Sequence, residues 1–239
     1  MPVVRVATFQ TSPHPPNPLE QIQKALETGQ LEDHHFALFP EGFLTGYFTT
    51  HREAAQVALS TSSAEFARLL EVSRAFETTL VVGFLERAGA TLHNSAAVVA
   101  RGKLLGVYRK THPNEKCFAA GLKFPVWLAH GVHFGVSICN DANFPEAARA
   151  LAQAGAQLIF MPLNNLLPHD VAVRWHDKSP ENLRLRALET GCAVISADVT
   201  GTRGDWTSYG CSRVVGAQGE LLGAVPELQE GWVSVALEF

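Results

Sequence analysis

Three polar side chains stand at the ends of apolar runs, where α/β folds place reactive groups. Glu41 follows FALFP, Lys110 follows KLLGVYR and Cys139 follows HFGVSI. Singly, each has an ordinary explanation: a glutamate or lysine after a strand is usually a solvated loop residue, and a buried cysteine is usually a small hydrophobe. Together they are the parts that amide hydrolysis through a thiol requires. The thiolate attacks the carbonyl carbon, a carboxylate takes the thiol proton and passes it to the leaving amine, and a cation stabilises the tetrahedral oxyanion. A lysine close to both partners would also depress the thiol pKa and keep the carboxylate ionised.

The stretch VHFGVSICNDANFPE, residues 132–146, is the centre of this reading. A strand carries Cys139 at its carboxyl end, breaks at Asn140-Asp141 and restarts as a helix at Pro145. A side chain in that position is held rigidly, and the backbone N–H of Asn140 would face a developing oxyanion.

Alternation, helical spacing and turn residues predict the elements that must position these groups. Strands are expected at 3–10, 36–39, 80–85, 126–128, 133–138, 158–161, 193–197 and 232–237. Hairpins are expected at 93–108 across Arg101-Gly102 and at 212–224 across Gln218-Gly219. Helices are expected at 19–28, stopped by Gly29, and at 53–59, 63–77, 145–154 and 181–190. The third opens with a capping-box pattern at Ser62-Ser63-Ala64-Glu65. Residues 3–40 and 133–162 echo each other as strand, helix, strand, with the second strand ending at a proline. Helices alternating with strands imply sheets covered by helices, and two similar halves imply two stacked sheets. No linker or low-complexity segment divides the chain, so 1–239 reads as a single domain.

With these segments on the page, a resemblance is evident. FPEGFLTGY around Glu41, GVYRKTHP around Lys110 and GVSICNDANFPE around Cys139 resemble the three signature segments of the nitrilase superfamily of carbon–nitrogen hydrolases, in that family's order. The resemblance implies a four-layer αββα sandwich and a Glu-Lys-Cys triad, with Glu41 as general base, Lys110 as oxyanion stabiliser and Cys139 as nucleophile. It also implies hydrolysis of a non-peptide C–N bond in a small amide or N-carbamoyl substrate, with no metal or organic cofactor, in a homodimer or higher homo-oligomer. Glu115, in NEKCFAAG, matches a second glutamate of the family that positions the substrate or the lysine. The chain departs from the pattern at His112-Pro113 and at Asn140, where tyrosine or tryptophan is commoner. Asparagine there is similar to the N-carbamoyl-D-amino acid hydrolases. Nitrile hydrolysis by the same triad, and a non-catalytic scaffold role, are the alternatives.

Among the remaining candidates, Arg174 is expected in a loop near the same sheet edge, where it would hold a substrate carboxylate or simply face solvent. Tyr47 and Trp206 would line the cavity or serve as packing, while Cys192 and Cys211 read as core. The formal charge of −4 offers no basic footprint for nucleic acid or an anionic membrane. No apolar run of membrane-spanning length is present, and the amino terminus enters a strand at once with no signal-peptide pattern. The four cysteines lack CxxC spacing, and neither His34-His35 nor His130-x-x-His133 has partners for a metal. A cytoplasmic protein with reduced thiols is the expectation.

Overall fold

The computed structural model describes residues 3–28, 31 and 33–239. Gly29, expected to stop the first helix, lies outside the described residues. The first half begins with β1 (Val3–Gln10), α1 (Pro18–Glu27) and β2 (Phe36–Leu38), with β1 and β2 parallel. Pro18 opens α1 at a position where its missing N–H costs nothing, and Ile22, Ala25 and Leu26 form the buried face. Next come α2 (His51–Val57) and α3 (Ala64–Ser73); the cap falls one residue later than the Ser62–Glu65 box, with the Ser63 side chain accepting the N–H of Phe66, and α3 ends at Ser73, short of the expected residue 77. They lead to β3 (Thr79–Ala88), parallel to β2. The antiparallel β4 (Thr91–Ala100) and β5 (Lys103–Arg109) follow. Arg101 and Gly102, both at positive φ, make the tight turn between them.

The second half repeats the plan. β6 (Val126–Ala129) pairs antiparallel with β7 (Val132–Val136), and α4 (Pro145–Gln153) crosses to β8 (Leu158–Pro162), parallel to β7. A short β9 (Leu167–Pro168), α5 (His169–Trp175) and α6 (Lys178–Thr190) precede β10 (Ala193–Ala197), parallel to β8. The hairpin of β11 (Gly201–Arg203) and β12 (Trp206–Ser208) joins β9 in a small third sheet. β13 (Arg213–Val215) and β14 (Leu221–Ala224) close the second sheet, and β15 (Gly231–Glu238) returns to pair with β1. The large sheets run β15-β1-β2-β3-β4-β5 and β14-β13-β10-β8-β7-β6.

The layers follow from which faces are apolar. Val6, Phe36, Val81, Phe134, Phe160 and Ile195 are fully buried between the sheets. The Phe36 ring there meets those of Phe134 at 5.0 Å and Phe160 at 5.3 Å. Opposite faces of the same strands bury Ala7, Ala37, Leu80 and Val82 with Ile22 of α1 and Phe66 of α3. Ile159, Met161 and Val194 pack with Leu151 of α4 and Leu183 of α6. The result is the expected αββα sandwich, whose parallel strands are buried on both faces and so read as continuous apolar runs. No helix among the described residues is long and apolar enough to cross a membrane.

Two expectations need correction. The segment holding Arg174 is helix α5 rather than a loop, and α6 starts at Lys178, ahead of the expected residue 181. Ala172 is the single buried residue of α5, so its sequence shows no helical periodicity. The β9-β12-β11 sheet was likewise unforeseen, since strands of two or three residues are too short to alternate visibly.

Hydrogen bonds between the halves join the ends of β2 and β8 and link β1 to β10. The Glu41 N–H donates to the Leu163 carbonyl at 3.1 Å, and the Thr8 hydroxyl to the Ser196 carbonyl at 2.6 Å. The loop after β2 crosses directly over β3, where Gly83 leaves no room for a side chain. A Cβ there would lie 2.3 Å from the Pro40 oxygen and 2.7 Å from the Glu41 Cα. Gly83→Ala must therefore displace that loop, with an expected loss of about 1–3 kcal/mol read as a fall in Tm. An unchanged Tm would show that the loop yields freely.

Candidate active site

Pro40 ends the β2 run, and Gly42 at φ 68° turns the chain so that the Glu41 side chain enters the interior. Lys110 follows β5, with its N–H on the Asn94 carbonyl at 2.8 Å and its own carbonyl accepting from the Gly121 N–H at 2.8 Å. The two side chains, each 1% exposed, form an ion pair of 2.7 Å between Lys110 Nζ and Glu41 Oε1. Asn94 Nδ2, from β4, donates to the same oxygen at 2.6 Å. Glu41 Oε2 is buried with no hydrogen-bond partner. Burial pushes the Glu41 carboxyl above its ordinary value, against the pull of Lys110. A carboxyl shifted in that direction moves toward the range where a general base works near neutrality. Lys110 is desolvated too, but the charges of Glu41 and Glu115 raise its pKa and keep the ammonium charged.

Cys139 opens a 3-10 turn, Cys139–Asn143, three residues after the end of β7. Its φ of 45° lies in the left-handed region, which a residue with a Cβ enters only when its surroundings enforce it. Asp141 is the enforcing group. Fully buried, its carboxylate accepts from the Ile138 N–H at 2.9 Å, the Tyr108 hydroxyl at 2.8 Å, the Thr111 hydroxyl at 2.9 Å and the His112 N–H at 2.8 Å. The turn carrying the thiol is thereby locked to the segment carrying Lys110. In the sequence Asp141 read only as part of a strand break.

The thiol itself corrects an expectation. Burial and the negative charge of Glu41 push Cys139 well above the ordinary thiol value, against the pull of Lys110 and the Asn164 backbone N–H. The lysine does not win. The thiol rests protonated, and a base must remove its proton as attack occurs.

A cavity of about 350 Å³ opens over Cys139 and Lys110, lined also by Tyr47, Glu115, Asn140, Trp175 and Trp206. Glu115 Oε2 is buried without a hydrogen-bond partner. The Tyr47 phenol interacts with that carboxylate, and burial followed by the charges of Glu41 and Glu115 keep it un-ionised. The Asn140 amide donates to the His112 carbonyl at 2.9 Å. Arg174 stands apart from this group: it pairs with Asp170 at 3.1 Å, both side chains largely exposed, one turn along α5. Its neighbour Trp175 lines the cavity instead, since successive helical residues point about 100° apart. Cys192 and Cys211 are buried away from the cavity, in the core of the second half. A larger, open groove of about 900 Å³ is lined by His34, His35, Glu77 and His130 and contains none of the candidate residues.

Asp198 is a buried carboxylate that carries no distinguishing signal in the sequence beyond following the apolar run of β10. It accepts from the Asn165 N–H at 2.9 Å, the Val199 N–H at 2.8 Å and Asn165 Nδ2 at 2.7 Å, and so fixes a residue of the cavity wall. Burial pushes its carboxyl up to about 7 from 3.8, despite those hydrogen bonds. Between those values the folded protein holds a proton that the unfolded chain releases, so stability falls as pH rises through this window. Melting curves from about pH 5 to about pH 8 are expected to show Tm declining, with a flatter slope in Asp198→Asn. The same slope in both proteins would remove Asp198 as the titrating group.

The chain matches the family model described as carbon-nitrogen hydrolase over residues 5–239. A nitrilase of Pyrococcus abyssi is 31% identical over 237 residues, covering 95% of this chain and 87% of that protein. An (R)-stereoselective amidase of a Pseudomonas species is 35% identical over 140 residues, or 57% of this chain and 51% of the amidase. The crystal structure of an amidase from Nesterenkonia sp. superposes with a TM-score of 0.83 at 29% identity, covering 98% of this chain and 90% of that one. The chain belongs to the carbon–nitrogen hydrolase family, in the amidase-like part of the nitrilase superfamily.

Proposed function

We propose that this chain hydrolyses the C–N bond of a small amide or N-carbamoyl substrate through a thioester on Cys139. The observation that carries this is the buried Glu41 carboxylate, electrostatically coupled to Cys139, with Oε1 held by Lys110 and Asn94 and Oε2 unpartnered. A protonated thiol needs an adjacent base, and Glu41 has one oxygen free to be that base.

The Cys139 Sγ forms a bond to the carbonyl carbon as its proton passes to Glu41 Oε2. The carbonyl electron pair moves onto oxygen, where the Lys110 ammonium and the Asn140 N–H stabilise it. The C–N bond then breaks, Glu41 returns the proton to nitrogen, and ammonia or amine leaves. Water gives a proton to Glu41 and adds to the thioester, the C–S bond breaks, and the thiol recovers the proton as the acid departs. Glu115 and Tyr47 orient the substrate amide from the cavity wall. No step needs a metal or organic cofactor, and the whole chain, 1–239, acts as one hydrolase domain. Support also comes from a mutant of the Nesterenkonia amidase described as showing covalent addition of the acetamide moiety of fluoroacetamide at its active-site cysteine.

Similarity to the Pyrococcus nitrilase favours nitrile hydrolysis as a second reading, in which the same thiol adds to a nitrile carbon. Ammonia release from simple aliphatic amides, N-carbamoyl compounds and matched nitriles separates the two. Amides are expected to turn over faster than nitriles, and Cys139→Ala to lose roughly 10³-fold or more of the rate. Ammonia released by Cys139→Ala at the parental rate would sink the thioester route.

A further inference from the structure

The charges around the cavity restrict what the acyl group can carry. Among the described residues lining it, Lys110 is the single cation, and its ammonium is already engaged by Glu41 Oε1 at 2.7 Å. Two cations nearby have charged partners of their own. Arg174 pairs with Asp170, and Arg186, which does not line the cavity, donates through its two terminal nitrogens to the Ala142 carbonyl and to Glu189, each at 2.9 Å, leaving its buried Nε without a partner. Lys178 sits over the Trp175 ring at 5.6 Å, in an adjoining depression that Asp177 and Glu181 also line.

Negative charge is offset less completely, because Lys110 faces both Glu41 and Glu115. Glu115 presents a buried carboxylate oxygen with no hydrogen-bond partner. The rest of the polar wall is uncharged and is dominated by asparagines, among them Asn140, Asn143 and Asn182, with the hydroxyls of Thr49 and Ser179. Much of it is tied into a fixed neutral ladder. Asn182 donates to Asn143 Oδ1, Asn143 Nδ2 to Asn140 Oδ1 at 2.8 Å, and Asn140 Nδ2 to the His112 carbonyl at 2.9 Å. Carboxamide walls can both donate to and accept from a neutral polar substituent. A carboxylate would have to leave water opposite Glu115 and meet no free cation, which is the costly case of an unpaired buried charge.

We propose that this cavity selects amides whose substituent beyond the scissile carbonyl is uncharged, and excludes those carrying a carboxylate, N-carbamoyl amino acids included. This selectivity rests on the hydrolase function proposed above and narrows it.

Isosteric pairs test it, because they differ in charge and scarcely in shape: glutaramide against glutaramate, and succinamide against succinamate. The diamide is expected to exceed its monoacid in kcat/KM by about 100-fold, beyond the twofold statistical advantage of two amides. Hydrolysis of each diamide should accordingly stop after one equivalent of ammonia, since the product is the excluded monoacid. Calorimetry on Cys139→Ala should show the diamide binding at least about 10-fold more tightly than the monoacid. Release of a second equivalent at a comparable rate, or equal binding of the pair, overturns the selectivity and leaves the hydrolase function standing. Absence of both turnover and binding for every compound overturns the hydrolase reading of the cavity, and the selectivity with it.

Discussion

The buried ion pair of Glu41 and Lys110 is the constraint on which the rest of the structure depends. Two charges removed from water cost several kcal/mol each unless they meet in good geometry with further hydrogen bonds, and losing one partner leaves the other stranded. Both side chains are 1% exposed, and Asn94 adds the further bond. Their carriers, the ends of β2 and β5, are separated in the sheet by β3 and β4. The Glu41 loop must therefore lie flat across β3, which Gly83 permits, and the chain after Lys110 must fold back tightly. At Gly121 a Cβ would stand 2.1 Å from the Arg109 carbonyl oxygen. These glycines are consequences of bringing the pair together.

The second constraint is the turn at Cys139. A left-handed backbone at a non-glycine residue stores strain of order 1–3 kcal/mol and persists when the surroundings over-determine it. Here one buried carboxylate, Asp141, gathers donors from both sides of the site, so the strained turn and the Lys110 segment hold each other in place. With Glu41 tied to Leu163 across the two sheets, the proposed nucleophile, base and cation belong to one rigid unit contributed by both halves of the fold. That rigidity matches the electrostatic preorganisation the proposed chemistry calls for.

Much of this was legible in the chain. The strands buried on both faces announced themselves as continuous apolar runs, the capped helices by their spacing, and Glu41, Lys110 and Cys139 by their position at strand ends. What misled was local reading of features that depend on surroundings. Arg174 looked available to a substrate, yet in a helix its neighbour Trp175 takes the inward direction. Lys110 looked able to depress the thiol pKa, yet burial and Glu41 outweigh it. Asp141 and Asp198 carried little signal, because an aspartate after a strand is ordinary until the number of donors converging on it is known.

The sequence by itself determined the order and chemical type of the candidate residues and the alternation of strands and helices that puts them at one edge. Both are encoded in short windows, through periodicity of two or 3.6 residues and through turn chemistry. Only the tertiary structure decided which oxygen of Glu41 is free, that the Cys139 thiol rests protonated, and that Lys110, the single cation among the described residues lining the cavity, is paired with Glu41. Those properties are set by partners distant in the chain. Asn94 lies 53 residues from Glu41, and Lys110 lies 69 residues from it. Desolvation, which dominates the titration of these groups, exists only once the two sheets have closed over them.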